Sequence, residues 1–184
     1  GLSMGSGFII DQAGYIVTNN HVIDGADEID IILSDGAVLA AKVVGADEDV
    51  DLALLKVESP APLTAVPWAN SDQAEVGQWV VALGTPFGLG GTVTQGIVSA
   101  VYRNTGSGSA YDRYLQTDAS INRGNSGGPM FDMAGNVIGI NNAIFSPTGG
   151  SVGIGFAIPA EVAAPIVEKL RAGQAIDRGY LGVR

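Results

Sequence analysis

The sequence predicts an all-β protein, a sandwich or a barrel, and three observations carry that expectation. Short runs rich in Val, Ile and Leu follow one another along the chain; Gly, Asp and Asn punctuate them at regular spacing; and only one segment has a helical period. The runs open at Gly7, Tyr15, Glu28, Ala37, Asp51, Gln78, Thr92, Tyr114, Pro129, Asn136 and Val152. Ser34-Asp35-Gly36 and Met133-Ala134-Gly135-Asn136 read as hairpin turns, because Gly and Asn tolerate the positive φ that tight turns need. The strands they join are then antiparallel. The helical segment runs from Pro159 to Arg171, with Val162, Ile166 and Leu170 on one face and Gly173 as terminator, and is expected to pack on the second half of the molecule. Gly- and Pro-rich stretches at 85–91, 105–109 and 146–150 read as exposed loops.

At 184 residues the chain suits one domain, or two half-domains sharing a cleft. Hydrophobic residues make up 46% and charged residues only 15%, so burial can offset chain entropy and the chain should fold. No apolar run approaches the roughly 20 residues that cross a bilayer, and no signal-peptide pattern opens the sequence. A net charge of −10 repels a phosphate backbone, and the nine Lys and Arg form no basic stripe, which argues against nucleic acid as a partner. With no Cys and one His, disulfides and Cys- or His-cluster metal sites are ruled out, and no structural metal is expected. Gly88 to Gly91 cannot be a phosphate cradle, since such a loop opens a helix and a β-type run follows here.

The most informative segment is Gly124-Asn125-Ser126-Gly127-Gly128-Pro129. Small residues around a hydroxyl let the backbone bend tightly and present an exposed nucleophile. The N–H groups of Gly124 and Ser126 can converge beside that hydroxyl as an oxyanion hole. The same residues satisfy G-x-S-x-G, the elbow of α/β-hydrolases, but that elbow needs a helix after Ser and a His downstream. A turn and a strand follow instead, and no His lies beyond Ser126.

A Ser hydroxyl needs a base, and His21 is the only histidine. It sits in Thr18-Asn19-Asn20-His21-Val22, where a strand ends at a turn-prone Asn pair and a side chain can project into a cleft. The imidazole in turn needs a buried carboxylate. Asp47, Glu48 and Asp49 read as an acidic surface turn, whereas Asp51 opens the apolar run Leu52-Ala53-Leu54-Leu55-Lys56-Val57 and is drawn inward with it. The triad chosen is therefore His21, Asp51 and Ser126. A free imidazole titrates near pH ~6.5 and must be neutral to act as base, so activity is expected to fall in acid.

With His, Asp and Ser in that order, the chain resembles the trypsin-like serine proteases, and specifically the HtrA/Deg family. The similarity extends through Gly5-Ser6-Gly7-Phe8-Ile9-Ile10, the His21 and Asp51 segments, Gly84-Thr85-Pro86-Phe87-Gly88, the Ser126 loop and Gly153-Ile154-Gly155-Phe156-Ala157-Ile158-Pro159. The resemblance implies two perpendicular six-stranded β-barrels with a C-terminal helix. The N-terminal barrel would span about 1–84 and the C-terminal barrel and helix about 85–176, with 177–184 beginning the linker to a PDZ domain. It implies substrate bound as an added strand and a pocket of Ile121, Ala143 and Ile144 that takes a small aliphatic residue. No acid occupies the pocket-floor segment Ser120 to Arg123, so cleavage after Lys or Arg lacks its charge partner.

Asn125 stands where digestive proteases carry an Asp that pairs with a new N-terminus, so activation by that ion pair is not expected. Instead Asn122, Arg123 and the segment from Tyr102 to Tyr114 are candidates for a switch of the oxyanion loop. The family resemblance further implies a homotrimer in the full-length protein, unfolded or extended polypeptides as substrates, no cofactor, and an exported protein of the bacterial periplasm or cell envelope. Expected, then, is ATP-independent serine endoproteolysis of misfolded envelope proteins. The alternatives are a regulatory protease that cuts one anti-sigma factor and a chaperone-like module that holds unfolded chains without turnover.

Overall fold

The computed structural model describes residues 3–85, 91–103, 113–143 and 150–176. Each predicted β-type run forms one strand. In the first half these are β1 (Phe8–Asp11), β2 (Tyr15–Thr18), β3 (Ile29–Ile32), β4 (Val38–Asp47) and β5 (Leu52–Val57). In the second they are β6 (Trp79–Gly84), β7 (Thr92–Arg103), β8 (Tyr114–Thr117), β9 (Pro129–Phe131), β10 (Val137–Asn142) and β11 (Gly155–Pro159). Two α-helices, a single turn α1 (Asn20–Ile23) and α2 (Ala160–Arg171), and a 3₁₀ turn at Ser71–Gln73 complete the described chain. Both predicted hairpins are present, β3 pairing antiparallel with β4 and β9 with β10. Of the predicted loops, 86–90, 105–109 and 146–149 lie outside the described residues.

β6 to β11 close into a six-stranded barrel in the order β10-β11-β8-β7-β6-β9. The first half is the more open of the two expected barrels. Among the described residues it is a five-stranded sheet, β1-β2-β5-β4-β3. The place beside β1 is taken by an extended segment held through only two backbone bonds, Val66 N–H to the Ile9 carbonyl (3.0 Å) and Leu63 N–H to the Gln12 carbonyl (3.3 Å). Pro60, Pro62 and Pro67 in and around that segment have no N–H to donate, so no sixth ladder forms. The changeover between halves also comes earlier than residue 84, because β6 pairs with β7 and β9 of the barrel.

β5 explains how the halves join. It lies between β2 and β4 and is buried on both faces, hence its near-continuous apolar sequence. Leu52 and Leu54 enter a core shared with Val137, Ile140 and Ile158 of the barrel, while Leu55 and Val57 face a smaller core with Ile16.

Helix α2 packs on β4 and β5 as well as β10 and β11, and so clasps both halves rather than the second alone. Its buried stripe is Ala160, Ala163, Ile166, Val167 and Leu170. Leu170 lies over Gly45, where an added Cβ would come within 3.0 Å of the Leu170 side chain. At the far end Arg171 bonds the Asp11 carboxylate (3.0 Å) and lies 4.4 Å over the Tyr15 ring, fixing the helix to β1 and β2. The helix stops as the sequence predicts: Gly173 has φ +69°, and the N–H groups of Gly173 and Gln174 return to the carbonyls of Leu170 and Lys169.

Candidate active site

The site forms where the ends of β2 and β5 meet the β9–β10 side of the barrel. Asp51 precedes β5 with φ 61°, a left-handed conformation that Asp tolerates better than most residues but that needs support. Its backbone carbonyl accepts from the Asn19 side-chain amide (2.8 Å) and from Asn20 N–H (3.2 Å). Its carboxylate accepts from His21 N–H at Oδ1 (2.8 Å) and from the Asn142 amide at Oδ2 (3.1 Å). The same Oδ2 lies 2.5 Å from His21 Nδ1. That contact makes Nδ1 the protonated nitrogen of the neutral ring and turns the Nε2 lone pair outward. Nε2 stands 3.1 Å from Ser126 Oγ. Asp51, His21 and Ser126 thus come together as the sequence predicts, with Asp51 9% and Ser126 0% exposed. Asp47 is also buried, and its carboxylate accepts from Asp49 and Val50 N–H within its own turn, 3.1 and 3.3 Å away.

The turn that carries Ser126 is fitted tightly into both halves. Gly127 has φ +87°, and a Cβ there would collide with the Ser6 carbonyl and the Thr18 hydroxyl. Ser6 staples the turn: its hydroxyl donates to the Gly124 carbonyl (2.7 Å) and accepts from Thr85 N–H (2.8 Å), while its N–H donates to the Ser126 carbonyl (3.0 Å). Asn141 braces the same turn from β10, its amide nitrogen lying 3.2 to 3.3 Å from the carbonyls of Leu83, Asn125 and Pro129.

Gly124 N–H is directed at Asn122 Oδ1, 3.0 Å away. Asn122 N–H donates to Asn125 Oδ1 (2.9 Å), and Asn125 Nδ2 donates to the Ser120 carbonyl (3.0 Å). Asn125, buried at the centre of this network, therefore bonds its own loop. Arg123 is exposed. Of the pocket residues, Ile121 and Ala143 are buried in the barrel core with Val80, Leu115 and Met130, and Ile121 lies against Gly155. Ile144 lies outside the described residues, as do 104–112 of the Tyr102–Tyr114 segment. At its described root, burial and then a hydrogen bond to Glu161 hold the Tyr102 phenol above its usual range.

Sequence reasoning missed four members of this site: Ser6, Asn19, Asn141 and Asn142. A signal existed for the last two, since two Asn in the otherwise apolar Val137-Ile138-Gly139-Ile140-Asn141-Asn142 are buried amides that must find partners. In the sequence Asn19 already has an explanation as a turn former, and Ser6 as one residue of the segment Gly5 to Ile10 that carries the family resemblance.

A base held by a carboxylate and facing a hydroxyl across the junction of two β halves defines a serine-hydrolase centre. The trypsin-like peptidase domain model matches residues 5–140, and the chain belongs to that family. Within it, the likeness to HtrA/Deg proteases is close. A probable periplasmic serine endoprotease DegP-like of Rhizobium meliloti (strain 1021) is 55% identical over 182 residues, 99% of this chain and 36% of that protein. A probable periplasmic serine protease do/HhoA-like of Haemophilus influenzae (strain ATCC 51907 / DSM 11121 / KW20 / Rd) is 52% identical over 183 residues, 98% of this chain and 39% of that protein. The solved HtrA-type protease AlgW with decapeptide superposes with TM-score 0.90 at 49% identity, covering 98% of this chain and 55% of that one. The chain thus spans little more than a third of the length of these curated relatives.

Proposed function

We propose that this chain is the proteolytic unit of an ATP-independent serine endoprotease that degrades misfolded or unfolded polypeptides in the bacterial periplasm. The observation that carries this reading is the run of contacts from Asp51 to His21 to Ser126, 2.5 and 3.1 Å in turn. In acylation Ser126 Oγ attacks the scissile carbonyl as His21 Nε2 takes its proton. The imidazolium, held by Asp51, gives that proton to the leaving amine, and water then hydrolyses the ester by the same route. Water is the only co-substrate the balance requires. The periplasmic assignment rests on the relatives' names.

Ser126 N–H and Gly124 N–H are the donors proposed for the oxyanion. Gly124 becomes available when its bond to Asn122 Oδ1 is released, which makes Asn122, with exposed Arg123 beside it, the switch of this loop. Ile121, Ala143 and Ile144 form the proposed pocket for a small aliphatic residue; the apolar surroundings of the first two support that choice. A homotrimer and a PDZ domain following residues 177–184 complete the proposed full-length protein.

Hydrolysis of casein by this chain and by Ser126→Ala tests the reading, with cleavage sites mapped by mass spectrometry. Cleavage after Val or Ala, lost by about 10⁶-fold in the variant, is expected. Cleavage that persists in Ser126→Ala would overturn the nucleophile. Equal binding of unfolded chains by both proteins without turnover would favour the chaperone-like module, and cleavage of one anti-sigma factor but not of casein would favour the regulatory protease.

A further inference from the structure

We infer that Asn19 is a positioning residue that holds the Ser126 hydroxyl proton away from His21 in the resting enzyme. The inference rests on the serine-protease reading above and concerns how that site is held before substrate arrives. Asn19 is fully buried, and its amide bridges two members of the triad. The nitrogen lies 2.8 Å from the Asp51 backbone carbonyl, and a carbonyl only accepts, so the orientation of the amide is fixed. Oδ1 therefore faces Ser126 Oγ, 2.9 Å away. An amide oxygen also only accepts, and Ser126 must be the donor in that contact.

Ser126 Oγ has one proton and two acceptors within reach, Asn19 Oδ1 at 2.9 Å and His21 Nε2 at 3.1 Å. A third neighbour, Ala143 N–H at 3.2 Å, donates to the oxygen and leaves that choice unchanged. The resting proton lies on the Asn19 side, the shorter contact. Catalysis then needs a rotation about the Ser126 Cβ–Oγ bond that redirects the proton to Nε2 and moves no heavy atom. Once Oγ carries an acyl group it has no proton to give, and Asn19 Oδ1 and the ester oxygen become two acceptors facing each other. The Asn19 contact therefore favours the resting enzyme over the acylated one.

The single histidine makes the test direct, because labelled imidazole in this chain gives one set of NMR signals and Asp51 is the ionisable group bonded to it. A hydrogen bond donated to Nε2 stabilises the neutral ring, so its loss raises the midpoint of the titration, by roughly half to one pH unit. With the proton on Asn19, Ser126 Oγ can only accept from the protonated Nε2, so Ser126→Ala in otherwise unaltered protein lowers the midpoint and never raises it. Asn19→Ala turns the hydroxyl to His21 and lowers the midpoint, and adding Ser126→Ala to Asn19→Ala raises it again. A lost structural contact at Asp51 would shift Asn19→Ala and the double variant equally and give no such dependence on Ser126. A rise in Ser126→Ala alone would overturn the inference, and that arm stands even if Asn19→Ala fails to fold. Fluorophosphonate labelling of Ser126 in the unaltered protein is read separately: its failure would remove the protease reading, whereas the titrations decide where the resting proton lies.

Discussion

The two sides of the active site are built differently. On the His21–Asp51 side the bonds converge on the base: the Asp51 carboxylate accepts from His21 and Asn142, its backbone carbonyl from Asn19 and Asn20, and the imidazole is left with one lone pair facing the nucleophile. On the Ser126 side the turn is held from outside by Ser6 and Asn141, but the Gly124 N–H is spent inside the loop on Asn122, and Asn122 N–H on Asn125. The base is thus assembled before substrate arrives, while Gly124 N–H, one of the two donors proposed for the oxyanion, has an internal partner. The proposed switch at Asn122 would act by releasing the bond from Gly124 N–H to Asn122 Oδ1.

Substitutions on the assembled side should break this contrast with the largest effects. Asp51→Asn removes the charge that holds the imidazole tautomer and should lower kcat for peptide hydrolysis by about 10⁴-fold, with the fold kept as judged by circular dichroism. Asn142→Ala leaves a buried carboxylate oxygen one donor short. It should cost about 1.5–3 kcal/mol in denaturant unfolding, with a fall in kcat that Ser6 or Asn141 substitutions would not reproduce through Asp51.

On the opposite side, Asn122→Ala should sharpen the contrast in the other direction. Removing the internal acceptor frees Gly124 N–H and should raise kcat/KM by about 2- to 10-fold, and a fall instead would mean that Asn122 supports the working loop. The smallest effect lies farthest from the chemistry. Asp11 is held below its usual range, first by Ala13 N–H and then by Arg171, so its contribution is present above pH 3.8 and is lost as pH falls through its lower folded value. Arg171→Ala should therefore reduce the acid-induced loss of stability in that window, measured by thermal melting between pH 2 and 5.

How much of this was legible beforehand depended on whether a residue's role was local. The strands, the two hairpins and the end of α2 follow from periodicity, Gly turns and a Gly cap, which are properties of neighbouring residues. The triad was legible because few residue types can do its chemistry and the chain holds one His. Asn19 and Ser6 were not, because their partners lie 107 and 118 residues away and Asn or Ser in a turn already has a local explanation. That the first half ladders five strands among the described residues is less legible, because the prolines at 60, 62 and 67 limit pairing only once the strand they lie beside is known.

Helix α2 gives the site a mechanical setting. Because one buried stripe touches strands of both halves, widening the cleft would strip the helix from one wall or the other, and its grip on the first half includes Leu170 against Gly45. The distance between His21 and Ser126, contributed from opposite halves, is therefore governed partly by a residue that touches neither.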